Sequence, residues 1–137
     1  MKNEKETAQQ LGSLGKKDLY QLIIETANEG VWIKDANHIT TFVNGKMAEM
    51  LGDTEENIVG RHFKDFTYSE DEETISQMHE RREEGSSDGY ELRLRNKQGE
   101  VVWVFVNASP LMKEGEYLGS LGMLSNITIH KQKEQKR

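Results

Sequence analysis

Residues 90–127 hold three runs rich in β-branched and aromatic residues, and the two turns between them are too short for a crossover. The runs are Tyr90 to Arg95, Val101 to Ala108 and Tyr117 to Ile127, joined by Asn96-Lys97-Gln98-Gly99 and Lys113-Glu114-Gly115-Glu116. A parallel return needs a connection of about a dozen residues, so these strands must pair as an antiparallel meander. Side chains alternate across a strand. Tyr90, Leu92 and Leu94 should therefore share one face with Val102, Val104, Val106 and Leu124, while Val101, Trp103, Phe105, Leu121 and Met123 fall on the other. Both faces are apolar, and each needs a cover.

The chain upstream supplies candidates. From Asp18, read as an N-cap, Leu19, Leu22, Ile23 and Ala27 recur at helical spacing, with Tyr20 and Ile24 as a second apolar edge. Val31-Trp32-Ile33 and Ile39 to Val43 are strand-like and joined by the turn residues Lys34 to His38, which predicts a β-hairpin. Short helical turns follow. Met47, Met50 and Leu51 make one face ending at Gly52, and Thr54-Glu55-Glu56 opens a second turn that Gly60 closes. Between Ser69 and Glu84 the clear apolar positions are Ile75 and Met78, which predicts a solvated helix with a thin buried stripe. The expected fold class is α+β: a five-stranded antiparallel sheet, short helices on one face, and an N-terminal flanking helix. Residues 1–17 read as a linker or frayed helix, 18–129 as the domain, and 130–137 as the start of a C-terminal linker.

Charge and composition remove several function classes. The net charge of −6, with acidic residues dense from Glu70 to Glu84, disfavours a grip on phosphate backbones, so no nucleic acid is expected. No cysteine is present, which excludes disulfides, thiolate metal sites and cysteine nucleophiles. Met1 to Glu6 lacks the apolar core of a signal peptide, and no window approaches the roughly 18 apolar residues of a membrane span. A cytoplasmic chain without membrane insertion is the expectation.

Several separated motifs, in order, resemble the PAS family over about Leu19 to Lys133. Gly30 to Asp35 through Phe42-Val43-Asn44 and Met50-Leu51-Gly52 is similar to the family's opening hairpin, its Asn and the following helix. Ile58-Val59-Gly60-Arg61 with Phe63 and Phe66 resembles its mid-domain segment. Lys97 to Val104 and Ala108-Ser109-Pro110 resemble its central strands, and Asn126-Ile127-Thr128 its closing Asp-Ile-Thr, with an amide in place of the carboxylate. The resemblance implies a non-catalytic sensory module. It would sit upstream of an output domain such as a histidine kinase of a two-component system or a cyclic-dinucleotide enzyme. The signal would pass through Asn126, Ile127 and Thr128 into the helix that His130 to Gln135 begins.

The resemblance also places a ligand pocket on the inner sheet face. Phe63, Phe66, Ile75 and Met78 would close over Leu92, Leu94, Val104, Val106 and Leu124, leaving an almost wholly apolar interior for a small apolar ligand or a filled core. Blue-light flavin relatives need a cysteine where Phe63 stands, and amides where Leu94, Val104 and Leu124 stand, so no flavin is expected. Haem-binding relatives take an axial ligand from the helix that holds His79, but this histidine comes late, beside Glu80 and Arg81, and reads as an exposed residue; no haem and no metal are expected. His38 in a turn and His62 beside Arg61 read as surface or partly satisfied histidines. His130 lacks the acidic residue and proline that follow a phosphoacceptor, and Ser109 and Ser125 lack the context of a nucleophile. On the outer face, Leu19, Tyr20, Leu22, Ile23 and Ile24 would meet Val101, Trp103, Phe105, Leu121 and Met123 as helix cover or homodimer surface. The leading reading is thus a sensor binding a small ligand or a protein partner. The alternatives are a ligand-free dimerisation module and a small enzyme built on His62 or His79.

Overall fold

The computed structural model of the protein describes residues 15–26 and 28–135, without the side chains of residues 20, 21, 24–26 and 135. The expectations for residues 1–14 and for the side chains of Tyr20, Ile24 and Ala27 lie outside it. Helix α1 spans Lys16–Thr26 and the hairpin strands β1 and β2 span Gly30–Asp35 and Thr40–Val43. Helices α2 (Gly45–Leu51) and α3 (Glu55–Ile58) follow, then 3-10 turns at Phe63–Phe66 and Ser69–Asp71 and helix α4 (Glu72–Glu83). Strands β3 (Asp88–Arg95), β4 (Val101–Lys113) and β5 (Glu116–Asn126) lead to the exit helix α5 (Thr128–Gln135).

The five strands form one antiparallel sheet in the order β2-β1-β5-β4-β3. The meander has the expected register. Tyr90, Leu92 and Leu94 stand opposite Val106, Val104 and Val102, and Val106 stands opposite Leu124. This face and Trp32 pack against Met47, Leu51, Ile58, Phe63, Phe66 and Ile75, all buried. Strand β4 runs on through Pro110, which lies past Ala108, the last residue paired to β3. One side of β4 is an edge there, where a missing N–H is tolerated.

The short helices are held by caps. Asn44, 1% exposed, accepts from Met47 N at 3.0 Å and Val31 N at 2.9 Å, and donates to Glu29 O. One side chain thus caps α2 and fixes β1 beside it. Gly52 ends α2 in the left-handed conformation, φ 68°, which suits glycine at a helix C-terminus. Thr54 caps α3 through Asn57 N. The segment after α3 is tied to the free edge of the hairpin: Thr40 N bonds Arg61 O, Gly60 N bonds Thr40 O and Phe63 N bonds His38 O. Those three bonds bring His62 and Phe63 to the β1–β2 turn.

Two expectations need correction. Helix α1 starts at Lys16, with Leu19 N bonded to Gly15 O, so Asp18 is a first-turn residue and not the cap. The hairpin turn is also shorter than expected, because β1 continues to Asp35 through its pairing with β5. Lys34 is therefore a strand residue, opposite Ser120, on the same face as Trp32.

Candidate functional site

Between the inner sheet face and α4 lies a cavity of about 30 Å³ lined by Trp32, Lys34, Phe63, Arg82, Tyr90, Val106, Ala108, Ser120, Gly122 and Leu124. Its origin is local. Ala108 pairs with Gly122 and Lys34 with Ser120, so small side chains gather on the inner face of β4 and β5 and leave a void between Trp32 and Leu124. A water needs about 10–15 Å³ of such space, so the cavity holds a few atoms.

Its wall is not apolar throughout, which corrects the expected interior. Lys34 is 9% exposed and Arg82 2%. Strand alternation puts Lys34 on the face of Trp32, and helical spacing puts Arg82 on the stripe of Ile75 and His79. Arg82 pairs with Asp88, whose other oxygen bonds Arg81 at 3.3 Å, and its guanidinium lies 5.5 Å from the Tyr90 ring centre. Lys34 has no carboxylate partner among the described residues. Its Nζ is 3.8 Å from the Phe63 ring centre and 2.6 Å from His79 Nε2, to which an ammonium there donates. Burial first, and then the charge of Arg82, lower its pKa from 10.5 to about 7.

His79 is half-buried and stacks on His38, ring centres 3.8 Å apart and planes 12° off parallel. The expectation of an exposed histidine fails at His79, because the bonds between the hairpin and residues 60–63 fold the turn over α4. His38 is held at φ 65° and its Nδ1 is buried without a hydrogen-bond partner. Burial, then Lys34 and His62, lower the His38 pKa to about 4 against an opposing pull from Asp35. The pKa of His79 falls further, by burial, then Lys34 and His38. Both rings are neutral at pH 7. Parallel stacked rings cannot chelate one ion, and no group of His, Asp and Glu poised for a metal occurs among the described residues. His38, His62, Phe63, Ile75 and His79 line a surface cleft of about 440 Å³, and Phe63 belongs to both cleft and cavity.

Of the sequence-derived pocket residues, Phe63, Val106 and Leu124 line the cavity. Phe66, Leu92, Leu94 and Val104 are buried in the core, Ile75 is buried at the cleft, and Met78 is half-buried. On the outer face Val101 and Phe105 are exposed, Trp103, Leu121 and Met123 partly so. Leu19, Leu22 and Ile23 are exposed on α1.

The closing corner binds the exit helix to β4. Ile127 N donates to Trp103 O at 2.8 Å, Trp103 N to Thr128 Oγ1 at 3.0 Å, and Thr128 N to Asn126 Oδ1 at 3.0 Å. The amide of Asn126 serves as the acceptor that caps α5. Lys131, which the sequence reading did not single out, lies 4.9 Å from the Trp103 ring centre and pairs with Glu91 of β3.

The family model for the PAS fold matches residues 18–127, and the chain belongs to this family. PAS domains are sensory and regulatory modules, generally without catalysis of their own. No curated protein matches. Solved structures match closely in fold at low identity. The PAS domain of an HTR-like protein from Haloarcula marismortui has a TM-score of 0.71 at 19% identity, covering 90% of this chain and all of that one. A domain of a sensory box sensor histidine kinase/response regulator from Geobacter sulfurreducens has 0.68 at 20%, covering 80% and 92%. The PAS domain, in complex with ethanol, of a LuxR-family transcriptional regulator from Burkholderia thailandensis has 0.66 at 17%, covering 80% and 97%.

Proposed function

We propose that this domain is the sensory part of a signalling protein: it takes a small ligand into the cavity and passes its presence through α5 to an output domain in the same polypeptide. The observation that carries this reading is the two-sided use of β4. Its inner face lends Val106 and Ala108 to the cavity, while Trp103 on the other face holds α5 through Ile127, Thr128 and Lys131. A ligand that shifts the strand shifts both. The small cavity suits a ligand of a few heavy atoms and is far too small for a flavin or a haem; the Burkholderia domain in complex with ethanol is a parallel in ligand size.

The test is a screen of small polar and apolar molecules by amide NMR, following the Trp32 indole inside and the Thr128 amide at the corner. Ligands that move both resonances together support the relay. A ligand that saturates Trp32 and leaves Thr128 unmoved would overturn it.

A ligand-free dimerisation module is a second reading, favoured by the exposed Val101, Phe105 and Leu118 on the sheet and Leu19, Leu22 and Ile23 on α1. An enzyme is not favoured. His38 and His79 do have strongly lowered pKa values, but Nε2 of His79 is taken by Lys34, and no carboxylate bonds the free nitrogen of either ring among the described residues.

A further inference from the structure

We propose that the ligand of this cavity is a small monocarboxylate of the size of formate or acetate, held by the ammonium of Lys34 with its apolar end toward Trp32 and Leu124. This deepens the sensory reading and rests on it. The argument begins with the charges that face the cavity. Arg82 and, when protonated, Lys34 are buried cations, and among the described residues one anion, Asp88, is engaged there, by Arg82 and by the exposed Arg81. With Lys34 protonated, one buried positive charge is uncompensated. Asp35, next in sequence to Lys34, is committed elsewhere: its carboxylate accepts from Asn37 N at 2.8 Å and Ile39 N at 3.1 Å. Glu80 and Glu83 of α4 are exposed, and the cleft histidines His38 and His79 are neutral, lowered by burial first. His62 caps Lys64 N with its Nδ1. Tyr90 and Tyr117 have pKa values raised by burial, so neither supplies an anion near neutral pH.

A buried cation without a counter-ion is costly, and a protein resolves it by deprotonation or by binding an anion. Lys34 is built for the second. An ammonium has three N–H donors, and His79 Nε2 is its one hydrogen-bond partner among the described residues. Lys34 itself lines a cavity whose other lining includes Trp32, Val106 and Leu124. A single carboxylate neutralises the excess charge, whereas a second would restore an imbalance of opposite sign. The volume of about 30 Å³ limits the rest of the ligand to a methyl-sized group. Because burial and Arg82 bring Lys34 in the free protein to a pKa of about 7, binding at higher pH must be accompanied by proton uptake.

The experiment titrates the domain with sodium acetate at constant ionic strength, set with sodium chloride, and follows the Trp32 indole and Thr128 amide by NMR. The expected result is saturable binding of acetate, weaker by about tenfold or more for uncharged acetamide and for acetate with Lys34→Met. In the wild-type protein the affinity should fall by up to about tenfold per pH unit above pH 7, a readout that needs no variant. Equal binding of acetate and acetamide, unchanged binding by Lys34→Met, or a pH-independent affinity between pH 7 and 9 would overturn the proposal. If ethanol or acetamide binds and moves Thr128 while acetate does not, the sensory reading stands and the carboxylate fails. If acetate binds in the Lys34-dependent way but leaves Thr128 unmoved, the carboxylate stands and the relay fails.

Discussion

Lys34 and His79 share a hydrogen bond, and the charge each carries sets how the stability of the domain responds to pH. The folded-state pKa of Lys34, about 7, lies below its ordinary 10.5, so between these values the unfolded chain binds the extra proton. Stability therefore rises with pH across that window, by at most about 1.4 kcal/mol per unit from this group, and below pH 7 Lys34 adds no pH dependence because both states hold the proton. Lys34→Met, which removes the buried charge, should stabilise the domain by roughly 2 kcal/mol at pH 6 in buffer free of small carboxylates and lose the alkaline rise. Urea unfolding of both proteins from pH 6 to 10 checks this, and parallel curves would show that Lys34 is solvated. The histidines act on the acid side. His38 and His79 have folded pKa values below 6.5, so stability is lost as pH falls from 6.5 toward 4, where the unfolded chain takes up protons that the stacked rings refuse. His79→Gln should flatten part of that acid slope, read as a smaller drop in melting temperature between pH 7 and 5.

Elements show which parts of the design the sequence states openly. Asn44 joins two of them, and Asn44→Ala leaves Val31 N and Met47 N without their buried acceptor. A loss of about 2–3 kcal/mol is expected, with Asn44→Asp milder because a carboxylate still accepts both bonds; denaturant midpoints distinguish them. Val104→Asp tests the strand face. Val104 is fully buried in the middle of β4, opposite Leu92, so a carboxylate there should unfold the domain or cost more than about 3 kcal/mol, whereas a melting curve like wild type would mean the face is inverted. The meander was legible because short turns and period-two alternation leave one register, and the inner residues from Tyr90 to Val106 follow from it. The cavity was not. Alternation from Leu124 also reaches Gly122 and Ser120, and spacing from Ile75 reaches His79 and Arg82, but pattern reading weights large apolar residues. It passes over the small ones that open space and the charged ones that composition assigns to solvent. Lys34 was read as a turn residue because its place in β1 depends on pairing with β5, a contact distant in sequence.

At the scale of the whole molecule, the outer sheet face is unevenly covered. Val31 lies on that face opposite Met123 and is buried, and Trp103 is partly covered by Lys131 of the exit helix. Val101 and Phe105 on β4 remain 42% and 37% exposed, and α1 presents Leu19, Leu22 and Ile23 at 38%, 42% and 56%. Burying large side chains of this kind contributes about 1.5–3 kcal/mol each when complete, so two such open surfaces on one molecule favour association. A homodimer in which α1 of each copy contributes to covering the sheets would satisfy both and would set the two α5 helices in a defined relation. Truncation separates the parts of this idea. Deleting residues 1–28 removes α1 and should cause aggregation or a changed oligomeric state, while deleting residues 1–15 keeps α1 and should be tolerated. Light scattering and thermal melting of the two truncations against the full chain give the answer: if both remain monomeric, well dispersed and equally heat-stable, the outer face needs no cover from α1, and the dimer built on it fails.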